Sequence, residues 1–134
     1  MKILQPPSWP RPKGYSNGIS ATGRMIFTAG VVGWDENESF SDYTLHGQFA
    51  QALRNTLEIL AEDGAGPQHI VRMTVYVTDR HEYSNSRDEI GAAWREIIGA
   101  NYPAMALVEV KGLLERAAKV EIETTAVVEE EYGK

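Results

Sequence analysis

Residues Val71 to Thr78 alternate without a fault: Val71, Met73, Val75 and Val77 fall on one side of an extended chain, and Arg72, Thr74 and Tyr76 on the other. Apolar residues at period two over that length specify a strand with one face buried and one more polar. Such a strand is stable only if other elements cover its apolar face.

Two segments supply the cover. Between about Asp42 and Asp63, the positions Leu45, Phe49, Leu53, Leu57 and Leu60 recur at helical spacing, widened by Ala52 and Ile59. Ser41 or Asp42 is placed to cap the start of this helix, and Gly64 to end it. From Asp79 to about Ile98 a second helical stretch turns Ile90, Ala93, Trp94, Ile97 and Ile98 inward, and Gly99 and Pro103 stop it. Two more strands follow, Ala104 to Val110 and Lys119 to Val128, the second with Val120, Ile122, Thr124, Ala126 and Val128 on one face.

Ahead of the first helix, the β-favouring runs Asn17 to Ala21 and Met25 to Val32 flank Thr22-Gly23-Arg24 and read as a hairpin. Gly30 and Gly33 bracket the end of the second run, where the backbone must approach something closely. Trp34 to Tyr43 is acidic and polar, a loop. The order β-β-α-β-α-β-β predicts an α+β fold in a single domain, residues 1-134, with a mixed sheet and two helices packed on one face. Residues 1-14 form an extended proline-rich arm in this reading, pinned by Trp9. The uncovered face carries Tyr76, Leu107 and Val127 among polar residues, so it is expected to be a self-association surface.

Composition narrows the chemistry. The 134 residues include no cysteine, which removes disulfides, thiolate catalysis and cysteine-held metals. His46, His69 and His81 stand singly, so no metal site is expected. Gly64-Ala65-Gly66 follows a helix and reads as a turn, and no Gly-x-Ser-x-Gly elbow is present. The net charge is −6 and the basic residues are scattered, so nucleic acid, which is bound through clustered Lys and Arg, is not an expected partner. The first residues lack the apolar stretch of about 7–15 that a signal peptide needs. No run approaches the roughly 18 apolar residues of a membrane helix. A cytoplasmic protein with no membrane partner is expected.

Three side chains stand out on chemistry alone. Tyr15 sits between the arm and the first strand. Glu121 lies within an otherwise apolar strand, where a carboxylate must be paired or face water. Arg87 falls early in the second helix. Each also has an ordinary reading, as a packed aromatic, a solvent-side residue and a solvated helix position, and none names a reaction.

Four stretches together resemble the RidA/YjgF family from about Tyr15 to Val128: Gly14-Tyr15-Ser16; Met25-Ile26-Phe27-Thr28-Ala29-Gly30-Val31; Gln51-Ala52-Leu53-Arg54-Asn55-Thr56-Leu57 with Ala61-Glu62-Asp63-Gly64-Ala65; and Tyr102-Pro103-Ala104 with Val108-Glu109-Val110 and Lys119-Val120-Glu121-Ile122-Glu123. The resemblance implies a chorismate mutase-like fold and a homotrimer, with the sheets forming an inner barrel and a small-molecule pocket at each subunit interface. It also implies hydrolysis of reactive enamines and imines to 2-oxo acids and ammonia without a cofactor. Carried over by motif, Tyr15, Gly30 and Glu121 match pocket positions, Glu121 being the catalytic group that holds the water or the departing ammonia. Arg87 aligns with a pocket-edge position often held by asparagine, and Trp34 and Leu107 are assigned to the same pocket.

One departure is plain. The family's Pro-Ala-Arg motif, whose arginine pairs the substrate carboxylate, here reads Pro103-Ala104-Met105. A thioether offers neither charge nor donor. Losing such a contact costs on the order of 2–5 kcal/mol where the partner charge is desolvated. Two routes remain for a hydrolase: a more apolar ligand, favoured by Met105 and Trp34, or Arg87 as substitute cation. The competing readings are a non-catalytic trimeric metabolite-binding module and, against the acidic charge, a ribonuclease.

Overall fold

A computed structural model describes residues 1–130. In chain order the elements are β1 (Lys2–Leu4), β2 (Gly18–Ser20), β3 (Arg24–Phe27), β4 (Val31–Val32), α1 (Leu45–Ala61), a 3-10 turn (Pro67–His69), β5 (Ile70–Val77), α2 (Arg80–Asn85), α3 (Arg87–Ile97), β6 (Ala104–Glu109) and β7 (Val120–Val128). The main sheet runs β3-β7-β5-β6, with β4 also paired to β7. Only the β5–β6 pairing is parallel among its ladders, so the sheet is mixed.

The helices cover one face, as the apolar periodicities require. Phe49, Ala52, Leu53 and Leu60 of α1 and Ile90 and Trp94 of α3 join Met73, Val75, Val77, Val120, Ile122 and Ala126 of the sheet in one buried cluster. The alternation in β5 holds from Met73 to Val77 but slips at its start. A register shift between Ile70 and Arg72 buries Ile70 and leaves Val71 half-buried. An extra residue in one strand inverts the phase in this way.

Several local expectations are corrected. The hairpin does not form: β2 pairs with β1, placing Ile3 opposite Ile19, while β3 pairs with β7, placing Ile26 opposite Ala126. At the link, a β-carbon on Gly23 would lie 2.2 Å from the Val128 carbonyl oxygen, so β3 lies close along the end of β7. Pairing there completes a buried face that a local hairpin would leave open. The arm therefore begins with a strand, and Trp9, 58 % exposed, does not pin it to this chain.

The first helix is capped by Thr44, not by Ser41 or Asp42. The Thr44 hydroxyl accepts from the Gly47 amide at 3.1 Å, and Asp42 Oδ1 accepts from the Thr44 amide and hydroxyl. Gly64 ends the helix at φ +72, a conformation that glycine adopts freely. The second helical stretch starts on its Asp79 cap but divides at Ser86 into α2 and α3. Ser84, Asn85 and Ser86 are weak helix formers, which favours a break there.

The open face presents Met25 and Phe27, 58 % and 67 % exposed. Leu107 does not belong to it. The parallel register sets Leu107 beside Val75 and Val108 beside Tyr76, so Leu107 points to the helix side, at the edge strand β6.

Candidate functional site

The sequence-predicted residues gather into two groups, one near each edge of the sheet. The first is built on β4 and the loop after it. Val31 pairs with Ile122 and Val32 with Glu121, which brings Ala29 and Gly30 against β7. A β-carbon on Gly30 would lie 2.6 Å from Glu121 Cδ and 2.7 Å from Oε2. The carboxylate thus occupies the space that any other residue at position 30 would fill. Gly33 answers a second close approach, its β-carbon position lying 2.3 Å from the Gln48 carbonyl oxygen on α1.

Beyond β4, the Asn55 amide donates to the carbonyls of Val32 and Trp34 at 3.1 and 2.7 Å, and Gln51 donates to Asn55 Oδ1 at 2.8 Å. These bonds fix the backbone that carries Trp34, whose ring packs on Phe40 with centroids 5.9 Å apart. Gly30 and Trp34 share a cleft of about 790 Å³ whose charged lining is wholly acidic: Asp35, Glu36, Glu58 and Glu62. Glu121 itself stands on the open side of β7 next to Tyr76, its register partner on β5. The Tyr76 hydroxyl donates to Glu123 Oε1 at 2.6 Å, and that hydrogen bond raises the phenol above its ordinary pKa. Carboxylate and phenol groups therefore line one stripe of the open face.

The second group lies at β6. Ser16 donates its amide to the Pro103 carbonyl at 2.9 Å and its hydroxyl to the Tyr102 carbonyl, fastening Gly14-Tyr15-Ser16 beside the start of β6. A cavity of about 440 Å³ opens there between β6 and α3, with Arg87 and Met105 both in its wall. Tyr15 and Leu107 are exposed at 43 % and 37 % and line neither cavity, although Gly14 does line this one. Tyr83 also faces the cavity, and burial raises its pKa while the charge of Arg87 opposes the shift.

Within a single copy, then, Glu121 on β7 with Gly30 and Trp34 beside β4 form one group, and Arg87 on α3 with Met105 on β6 another, separated by β5. Sequence reading missed Lys13 and Arg95, which share the second cavity. Two steps of four place Arg95 on one helix face with Arg87 and Gly91, a spacing that an ordinary solvated face shows equally. Among the described residues, no cluster of His, Asp and Glu is arranged to hold a metal ion. Among them, no helix is long and apolar enough to cross a membrane.

Comparison with known proteins places this architecture. The profile of the family described as endoribonuclease L-PSP matches residues 9–128. The chain belongs to the RidA/YjgF family. A RutC family protein of Synechocystis is 32 % identical over 131 residues, covering 96 % of this chain and 97 % of its own. The 2-iminobutanoate/2-iminopropanoate deaminase of Salmonella typhimurium is 30 % identical over 113 residues, covering 84 % and 86 %. The crystal structure of the Rid family protein YyfB from Yersinia pestis, described as of unknown function, superposes with a TM-score of 0.80 at 28 % identity, over 95 % of this chain and 98 % of that one. RidA-type members include deaminases by name, and the α+β fold with its mixed sheet is the one this chain adopts.

Proposed function

We propose that this protein is a RidA-like hydrolase of reactive enamines or imines, acting as a homotrimer, whose substrate is not a small 2-imino acid held in the family's usual way. The observation that carries the reading is a combination. The carboxylate matching the family's catalytic position is seated against the bare backbone of Gly30, while Met105 stands where the anion-binding arginine is expected. The two half-sites lie toward opposite sheet edges, so a head-to-tail ring of copies would bring the Glu121 group of one against the β6 group of the next. The exposed Met25 and Phe27 on the open face support such an assembly.

The chemistry asks little of the protein. The C=N carbon is already electrophilic, so the site need only hold it and direct one water to it. The Glu121 carboxylate accepts a hydrogen bond from that water and takes its proton as oxygen bonds to carbon. It delivers that proton to the imine nitrogen, giving the carbinolamine. It then takes the carbinolamine hydroxyl proton and passes it to the same nitrogen as the C–N bond breaks and the C=O bond forms. One water is consumed, and a carbonyl compound and ammonia leave.

Timed decay of a panel of freshly generated imines, small acidic and neutral, tests this. Acceleration of at least one non-acidic or bulkier imine, abolished in Glu121→Ala, is expected. No acceleration across the panel overturns it. Met105 favours one alternative, a binding module without turnover, which predicts thermal stabilisation by a ligand that survives Glu121→Ala.

A further inference from the structure

The cavity beside β6 carries Lys13, Arg87 and Arg95 in its wall and no acidic side chain. In a chain of net charge −6 this is a local reversal of sign. Among the described residues none of the three forms an ion pair; the pairs present engage the terminal amine, Arg24 and Lys119. Like charges are gathered here without a protein counter-charge, which is the arrangement of a site awaiting an anion.

The geometry is specific. Arg87 and Arg95 lie two helical turns apart on α3, about 12 Å along its axis at 1.5 Å per residue. Gly91 lies midway on the same face and lines the cavity. A β-carbon at Gly91 would sit 3.2 Å from Arg95 Nη1, so the guanidinium folds back over the glycine toward the cavity. The rest of the wall includes the apolar side chains Phe49, Trp94 and Met105. Trp94 is held in place by its Nε1, which donates to the Asn101 carbonyl at 3.2 Å.

We infer that this cavity binds an organic anion with a flat apolar body, its carboxylate paired by Arg87 and Arg95 and its body laid against Trp94 and Met105. Guanidinium forks suit a carboxylate, and aromatic and thioether surfaces suit a planar hydrocarbon. A volume of about 440 Å³ holds a ligand the size of an aryl-substituted 2-oxo acid. The anion anchor has in effect moved from the strand to the helix, and a substrate must be longer to reach it. As a statement about substrate this rests on the hydrolase reading; as a statement about binding it does not.

Calorimetric titration with 2-oxo-3-phenylpropanoate, with its neutral amide and with pyruvate as comparators, tests the site on the intact protein. The aryl acid is expected to bind at least about tenfold more tightly than either comparator. Arg87→Gln and Arg95→Gln should each weaken it by roughly 10- to 100-fold, the worth of a charge-assisted contact. Arg→Lys at the same positions should retain part of the affinity. Equal affinity for acid and amide, no binding, or indifference to both glutamine variants overturns the inference. So does a glutamine double variant that loosens self-association while leaving the acid's affinity intact, since the cations would then be pairing with an acidic cleft of another copy. Binding by wild type with no imine turnover removes the hydrolase reading and keeps the site. Imine turnover by a protein that does not bind the aryl acid does the reverse.

Discussion

At position 30 a single hydrogen atom in place of a side chain decides where the Glu121 carboxylate rests. Because the atoms in the way are the mobile end of that side chain, Gly30→Ala should fold normally and displace the carboxylate. Its melting temperature should stay near that of wild type while turnover falls by about 100-fold or more, the usual scale for a misplaced proton acceptor. A proportional loss of folded protein would show instead that the glycine serves packing. Met105→Arg supplies the opposite change. It should raise kcat/KM for 2-iminopropanoate roughly 30-fold or more, by restoring a charge-assisted contact. Unchanged kinetics in a folded variant would mean that Met105 does not face the reacting ligand. Gly30, Glu121 and Met105 could be singled out as candidates because short motifs carry them. Arg95 could not, because an arginine on a helix is ordinarily solvated, and only the fold-back over Gly91 and the apposition of β6 distinguish it.

Among the elements, α1 is tied to its surroundings by Gln48 as well as by Asn55. Gln48, fully buried, donates to the carbonyls of Asp42 and Ala117 at 3.2 and 2.8 Å and accepts from the Lys119 amide at 2.8 Å. Gln48→Leu keeps the bulk but strands these backbone groups, and should cost about 3 kcal/mol, read from the urea midpoint at unchanged slope. The cap at the start of α1 gives a pH signature. The Asp42 carboxyl lies below its ordinary 3.8, first because it accepts from the Thr44 side chain and then from the Thr44 amide. A depressed carboxylate stabilises the fold above its unfolded value, and that contribution is lost as pH falls through the lowered folded value. The stability gap between wild type and Asp42→Ala should therefore be present at neutral pH and close in acid, below the ordinary carboxylate range; a gap that persists there would rule this out. The helices and long strands were legible from periodicity. The β2 partner, the break at Ser86 and the Thr44 cap were not, since each depends on which backbone groups find partners in three dimensions.

For the molecule as a whole, the half-covered sheet and the separated half-sites point to the same assembly. Phe27→Glu, placing a charge on the open face, should yield smaller particles by sedimentation with the secondary structure retained. Mixing Glu121→Gln and Met105→Glu protomers, each inactive alone, should recover up to about a quarter of wild-type activity, since one interface in four then pairs two intact halves. No recovery on proven co-assembly would place the whole site within one copy. The layer architecture was legible because it follows from covering one apolar strand face. The partner of the other face was not, because an exposed Phe27 does not say what covers it. Should the site indeed be shared across edges, dilution becomes a form of inhibition: per-chain activity would fall as the protein is thinned, and any metabolite filling the seam would act as a glue between neighbours.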